Sequence, residues 1–244
     1  MAKHIVRPFI TSRIPCDSSI FTYLNNIGQM VMTPVIAWYI EGPGEKILVD
    51  TGISAEVCKP YWPGAEDVMP LKEALKSVQL APEDIDIIIH SHLHFDHTGG
   101  NSMCKNATLV VQEEELETAT SGIYSHIPGQ NYYPELYEGQ KMEIVKGDQE
   151  IVDGVRVILT PGHTPGCQSV AIDTANGTAI IPGFCCTENT FEPPDEDYPL
   201  PRRPEAQIPA IHINSAEAYE SVMKVKKMAD ILLPLHFLNP KEQY

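Results

Sequence analysis

The sequence contains no run near the ~20 apolar residues that a membrane-spanning helix needs. Its longest apolar stretch, Val31 to Ile40, is broken by Thr33 and Pro34. The N-terminal segment Met1-Ala2-Lys3-His4-Ile5-Val6-Arg7-Pro8 carries basic residues with no apolar stretch after them, so no secretory signal is expected. Positive charge is in short supply: 17 Lys and Arg stand against 33 Asp and Glu, a formal net charge of −16. A field of that sign repels phosphate backbones and anionic bilayer surfaces. Nucleic acid and membrane are therefore not expected as partners. The six cysteines, Cys16, Cys58, Cys104, Cys167, Cys185 and Cys186, include no CxxC pair. A chain of 244 residues does not need a disulfide framework. Reduced thiols in a cytoplasmic protein are the simplest expectation.

The hydrophobic fraction of 43% and charged fraction of 20% are those of an ordinary globular chain. No tandem repeat or low-complexity tract interrupts it. Composition shifts once, in the proline-rich stretch from Glu192 to Pro209. Proline lacks an amide donor and fixes φ, so this stretch reads as an extended loop. Strand and helix signals resume after it, and residues 1–244 are expected to form a single domain. Strands are predicted at Val35 to Ile40 and Lys46 to Asp50, joined by a turn at Glu41-Gly42-Pro43-Gly44. Leu71, Ala74, Leu75 and Val78 recur at helical spacing behind Pro70. Ile85 to Ile89 and Thr108 to Val111 read as strands, the second followed by an acidic helix from Gln112 to Thr118. Val155, Val157 and Leu159 alternate as in a strand. Ser169 to Asp173 and Thr178 to Ile181 predict a hairpin about Asn176-Gly177. Asn214-x-x-Glu217 resembles a capping box that opens a helix to about Ala229, and Ile231 to Leu235 is a last strand. This mixture implies a layered α/β architecture. Composition alone does not separate a sheet-on-sheet core from a doubly wound sheet.

Chemistry concentrates in His90-Ser91-His92-Leu93-His94-Phe95-Asp96-His97-Thr98-Gly99-Gly100, directly after the strand Ile85 to Ile89. Four potential ligands, His92, His94, Asp96 and His97, fall within six residues. An extended backbone points His92 and His94 the same way. A turn at Asp96-His97 lets the next two face the same space. Imidazole nitrogen and carboxylate oxygen suit a borderline divalent cation such as zinc. A histidine-rich surface loop is the competing interpretation, and the buried strand that feeds this loop weighs against it.

His-x-His-x-Asp-His at a strand end resembles the signature of the metallo-β-lactamase superfamily. Ile47-Leu48-Val49-Asp50-Thr51-Gly52, Thr160-Pro161-Gly162-His163-Thr164-Pro165-Gly166 and Leu235-His236 resemble its flanking motifs. Cys16-Asp17-Ser18-Ser19, Pro34-Val35 with Tyr39, Ser91 to His97, and Gly162 to Ser169 together resemble the N-acyl homoserine lactonase branch. The resemblance runs along about the whole chain. It implies a four-layer αβ/βα sandwich, two face-to-face mixed β-sheets with helices outside, and metal at the strand ends. By the same resemblance His92, His94 and His163 would hold a first metal, and Asp96, His97 and His236 a second. The Pro-Gly-x-x-Pro-Gly frame around His163 is itself a rigid way to aim one side chain. His4, His90, His126 and His212 match no ligand position and read as structural or surface residues. Asp50 is implied to orient a ligand from behind; a strand-end carboxylate binding turn amides is the other reading.

The implied activity is metal-dependent hydrolysis of a lactone or related cyclic acyl compound by a metal-bound hydroxide, with Asp96 as proton shuttle. The implied cofactor is one or two zinc ions per chain, with manganese, iron or cobalt as alternatives. The oligomeric state stays open, a homodimer being one option. A thioesterase or glyoxalase II-like hydrolase is the second reading, and a metal-binding protein with little turnover the third. Two departures bear on these. Where the superfamily usually has Gly-Asp, with the Asp bridging both metals, this chain has Gly183-Phe184. Where the lactonase branch places a Tyr, it has Cys185-Cys186-Thr187. A thiolate from Cys185 or Cys186 could fill the bridge, or both thiols could be core residues. The aromatic segment with Tyr124, Pro128, Gly129, Tyr132, Tyr133, Pro134 and Tyr137 could wall the substrate pocket and supply a hydroxyl, or pack as an ordinary loop.

Overall fold

The computed structural model describes residues 3–127, 129–194 and 203–244. Pro128 and the middle of the proline-rich stretch, 195–202, lie outside the described residues. A first sheet contains β1 (Ile5–Asp17), β2 (Met30–Glu41), β3 (Ile47–Val49), β4 (Glu66–Asp67), β5 (Ile87–Ile89), β6 (Thr108–Gln112) and β7 (Met142–Val145). Their order is β4-β1-β2-β3-β5-β6-β7. The β1-β2-β3 steps are antiparallel and those from β3 through β5 and β6 to β7 parallel. A second sheet contains β8 (Gln149–Val152), β9 (Val155–Leu159), β10 (Gln168–Thr174), β11 (Gly177–Ile181) and β12 (Ile231–Leu232). Its order is β12-β11-β10-β9-β8, antiparallel except for the parallel β11/β12 step.

The two-residue side-chain period of the strands builds the layers. Ile36, Trp38 and Ile40 of β2 point between the sheets, where they meet Val157, Val170, Ile172 and Ile181. Ala37 and Tyr39 point the other way, toward Leu71, Ala74 and Leu75 of a helix after β4, Leu71–Ser77. On the far side of the second sheet, Ile158, Ala171 and Ile180 pack against Val222 and Val225 of the helix Ser215–Met228. Helix, sheet, sheet and helix thus stack as the four-layer αβ/βα sandwich that the motifs imply. Each large aliphatic side chain buried in these seams contributes on the order of 2 kcal/mol. Among the described residues no helix is long and apolar enough to cross a membrane.

Three local readings change in the folded chain. β1, 13 residues long, contains Pro8 and Pro15 and is not evident from its sequence. It is tolerated because β4 covers only Ser12 and Arg13 on its outer side, so missing amides break few ladder bonds. β7 and β8 are half-exposed edge strands with little apolar alternation. The predicted strand Ile231 to Leu235 pairs only over Ile231–Leu232, since Pro234 offers no amide. Asn214 caps its helix by accepting from the backbone N–H of Ala216 and Glu217, at 3.1 and 3.3 Å.

Candidate metal centre

The strand ends of both sheets meet at one cleft, and each predicted ligand reaches it by a different local device. β5 runs out through an extended His94 (φ −68°, ψ 158°), and one turn of helix, Phe95–Thr98, then turns Asp96 and His97 inward. His163 lies in the β9–β10 loop. Gly162 there has φ +127°, and a Cβ on it would run into the backbone of Ala218. Only glycine lets this loop press so closely on the helix Ser215–Met228. His236 follows the last strand, its N–H bonded to the carbonyl of Cys186 at 3.1 Å. Two three-atom groups result, His92–His94–His163 and Asp96–His97–His236, each with its ligand atoms within 4.8 Å of one another. All six residues are buried.

The hydrogen bonds behind the rings set where their protons sit. His163 Nδ1 donates to the carbonyl of Ile211 at 2.6 Å, and His236 Nδ1 to that of Pro34 at 3.0 Å. Each therefore turns an Nε2 lone pair to the cleft. Asp50, fully buried, serves both groups. Its Oδ2 accepts from His97 Nδ1 at 2.8 Å and from Ser91 Oγ at 2.7 Å, and its Oδ1 accepts from Ser91 N at 2.9 Å. Having donated to Asp50, the Ser91 hydroxyl accepts from His92 Nδ1 at 3.0 Å. His92 thus also presents a lone pair, and its Nε2 faces that of His163 at 3.2 Å. Two imidazole lone pairs so close repel unless a cation lies between them. His94 Nε2 is buried and has no partner among the described residues. Inward lone pairs, an orphaned nitrogen and a nearby carboxylate fit a divalent cation better than any packing role.

Electrostatics point the same way. Burial, reinforced by the other histidines, pushes His92 and His94 well below the usual imidazole range. Burial also takes His163 down to about 4 and lowers His236. These rings are neutral and able to ligate at pH 7. At His97, burial is outweighed by the carboxylates of Asp96 and Asp50, and its pKa rises to about 9. Asp50 is held low because His97 and His90 outweigh the effect of burial. His90 lies between Asp50 at 3.3 Å and Asn101 Oδ1 at 3.0 Å, away from the cleft. His4 is buried against the Asp153 carbonyl, and His212 bonds Pro209 and Ser215.

The folded chain resolves what the Phe184 and tyrosine readings left open. Phe184 does not stand at the metal groups: its ring is buried under the second sheet, 6.0 Å from Phe191. Cys186 shares that cluster, whereas Cys185 lines the cleft with Cys16 and Phe21 beside it. In the bend that follows β11 the two adjacent thiols face opposite ways. The Cys185 sulfur joins neither ligand group, and burial with the nearby Asp96 pushes its thiol well up. The aromatic segment does reach the cleft, but through Gly129 and Asn131 and not through a tyrosine. Tyr132 turns its hydroxyl to Glu115 at 3.0 Å, and Tyr137 is buried. Ile14, Ile20, Phe21, Trp62, Phe95 and Ile211 supply apolar walls.

Glu115 is a buried residue of this site with no signal in the sequence pattern. It receives the N–H of Leu93 at 2.9 Å, the Tyr132 hydroxyl at 3.0 Å and the Thr164 hydroxyl at 2.5 Å. One carboxylate therefore ties together the two loops that carry the first group and the segment that covers them.

The sequence profile of the metallo-beta-lactamase superfamily matches residues 32–214. An N-acyl homoserine lactonase of Bacillus sp is 35% identical over an alignment of 167 residues, with coverage of 63% of this chain and 64% of that protein. The match therefore spans just under two thirds of that relative's length. A crystal structure of a quorum-quenching N-acyl homoserine lactone lactonase superposes with a TM-score of 0.75 at 29% identity, covering 98% of this chain and 94% of that one. A second, an N-acyl homoserine lactone hydrolase with the product N-hexanoyl-L-homoserine at its catalytic metal centre, has a TM-score of 0.72 at 28% identity, covering 98% and 94%.

Proposed function

This chain belongs to the metallo-beta-lactamase superfamily, and from that premise we propose that it is a metal-dependent hydrolase that opens a lactone ring. The observation that carries the reading is the pair of buried ligand groups facing one apolar-walled cleft. His92, His94 and His163 are proposed to hold a first cation, and Asp96, His97 and His236 a second. Zinc is the proposed ion, with manganese, iron or cobalt as alternatives, since N/O donors suit all four. Bound there, divalent cations supply Lewis acidity toward an acyl oxygen and acidify water at neutral pH.

The chain's own residues do the rest. Asp96 holds its Oδ2 at 3.4 Å from His97 Nε2 and 3.9 Å from His236 Nε2, on the cleft wall. From there it is placed to take a proton from the attacking water and return it to the departing ring oxygen. The apolar walls exclude bulk water and accept a hydrocarbon substituent on the lactone. We further propose that residues 1–244 act as one hydrolase domain on a small molecule. All six cysteines are free and buried, which supports a reducing compartment such as the cytoplasm.

The test is turnover of a panel of lactones, thioesters and amides by metal-loaded protein, with and without a chelator. Lactone hydrolysis that disappears on chelation and returns with zinc is expected. Preference for thioesters would favour the glyoxalase II-like reading. A His92→Ala/His94→Ala double variant with full metal content would refute the ligand assignment.

A further inference from the structure

We propose that Asn131 is a substrate-contacting catalytic residue: its side-chain amide donates to the acyl oxygen of the lactone as negative charge develops there. The inference rests on the lactonase reading and adds the one hydrogen-bond donor that reading lacks.

Placement is the first argument. The Asn131 carbonyl accepts from the Phe95 N–H at 3.1 Å. Its neighbour Gln130 donates to the His163 carbonyl at 3.1 Å. Tyr132 forms an isolated antiparallel bridge with His94 and is anchored by Glu115. The backbone at 131 is therefore sewn to both loops that carry the first ligand group. Asn131, half-buried, is among the residues that line the cleft on which this group opens.

Availability is the second. Within the described residues, the one hydrogen bond of the Asn131 amide runs to the Gly129 carbonyl at 3.5 Å, the outer limit of such a bond. Competing donors on the cleft wall are engaged or poor. The Trp62 indole N–H is taken by the Pro15 carbonyl at 2.8 Å. The Tyr132 hydroxyl is taken by Glu115. With cations bound, the six ligand residues would offer lone pairs to metal and no proton to a substrate. The Cys185 thiol is a weak donor. Among the side chains of the described residues on the cleft wall, a carbonyl entering thus meets one free amide.

The chemistry is ordinary acyl transfer to water. A water oxygen bonds to the acyl carbon, and the C=O π pair moves onto the acyl oxygen. That pair returns as the carbon–ring-oxygen bond breaks, and the ring oxygen gains the proton that the water has lost. The net reaction is lactone plus water to hydroxy acid. A fixed donor at the acyl oxygen stabilises the charged middle of this path more than its ends, so its contribution appears in kcat more than in KM.

Asn131→Ala in the metal-loaded protein is expected to lower kcat about 100-fold with KM little changed, as for loss of one oxyanion donor. Metal content and Tm should stay as in the wild type, because the anchoring bonds at 131 are made by the backbone. Asn131→Asp, an acceptor only, should fall at least as far. Asn131→Gln, which keeps the carboxamide, should recover about tenfold over the alanine variant. An alanine variant within about threefold of wild type in kcat, with its metal intact, would overturn the proposal. Wild-type turnover tests the lactonase reading itself. If the wild type opens no lactone, that reading falls, and calorimetric binding of a ring-opened N-acyl homoserine decides the role of Asn131. Weaker binding by the alanine variant supports amide contact, and equal binding refutes it.

Discussion

Replacing Asp50 with Asn changes one atom and should invert the proton position on one ring of each ligand group. The carboxylate accepts from Ser91 N at 2.9 Å, Ser91 Oγ at 2.7 Å and His97 Nδ1 at 2.8 Å. Asparagine has one acceptor oxygen. The Ser91 N–H is a fixed donor and claims it. The NH₂ then faces His97 Nδ1, which must give up its proton and carry it on Nε2 instead, where the cation would bind. Facing the same NH₂, Ser91 Oγ becomes an acceptor and turns its own proton to His92 Nδ1, with the same result. The opposite amide orientation sets NH₂ against the Ser91 N–H and leaves a buried donor unpaired, at about 1–3 kcal/mol. Backbone strain does not confuse the result: Asp50 has φ +58°, a region that Asn also tolerates. Loss of such a partner typically weakens metal binding about 10–100-fold, roughly 1.4–2.7 kcal/mol per site. Chelator competition on cobalt-loaded protein would measure both sites. Ser91→Ala should weaken the His92 group alone. Affinities at both sites within about twofold of wild type in Asp50→Asn would refute the tautomer argument.

Two further outcomes follow from the same geometry. Glu115→Ala leaves three donors without their buried carboxylate and should destabilise the fold by about 3 kcal/mol or more, read by urea unfolding of the metal-free protein; a loss under ~1 kcal/mol would contradict the tie between loops. Metal uptake should release protons unequally. In the metal-free protein His97 is charged below about 9, while His163 is neutral above about 4, with His92 and His94 also depressed. Loading the Asp96–His97–His236 group near pH 7 should therefore expel about one ring proton, falling toward none above pH 9, and loading the other group no ring proton, with any proton from bound water adding to either. Calorimetry in buffers of different ionisation enthalpy reads this, and equal release by the two groups at pH 7 would refute it.

The features legible in the sequence are those carried by short stretches of chain. Period-2 alternation at Ile36, Trp38 and Ile40 marks a strand because neighbouring side chains point to opposite faces whatever lies beyond them. His92, His94, Asp96 and His97 read as ligands because six residues of extended chain and one helical turn suffice to bring them together. His163 reads through its glycine frame, which acts locally, and His236 through resemblance alone. β1 stays hidden because its prolines are permitted only by the open edge beside it.

Pairings across the chain were decided by the tertiary structure. Asp50 meets Ser91 and His97 across 41 and 47 positions, and Glu115 meets Thr164 across 49. No local pattern encodes such distances, because the sheet order that closes them is set by burial summed over the whole core. The bend that follows β11 makes the same point at short range. Adjacent in sequence, Phe184 and Cys185 face opposite sides, and only the packing of Phe184 on Phe191 shows which side is the cleft. Asn131 was silent for a related reason: a lone amide in an aromatic loop acquires meaning only when its backbone is sewn to the ligand loops. Thus the sequence by itself marked His92, His94, Asp96 and His97 as candidate ligands, which follow from residue type and spacing, while His236 and the four-layer stacking were legible through family resemblance. The fold decided which carboxylate orients which ring and which amide lies at the cleft, because those depend on contacts between segments far apart in the chain.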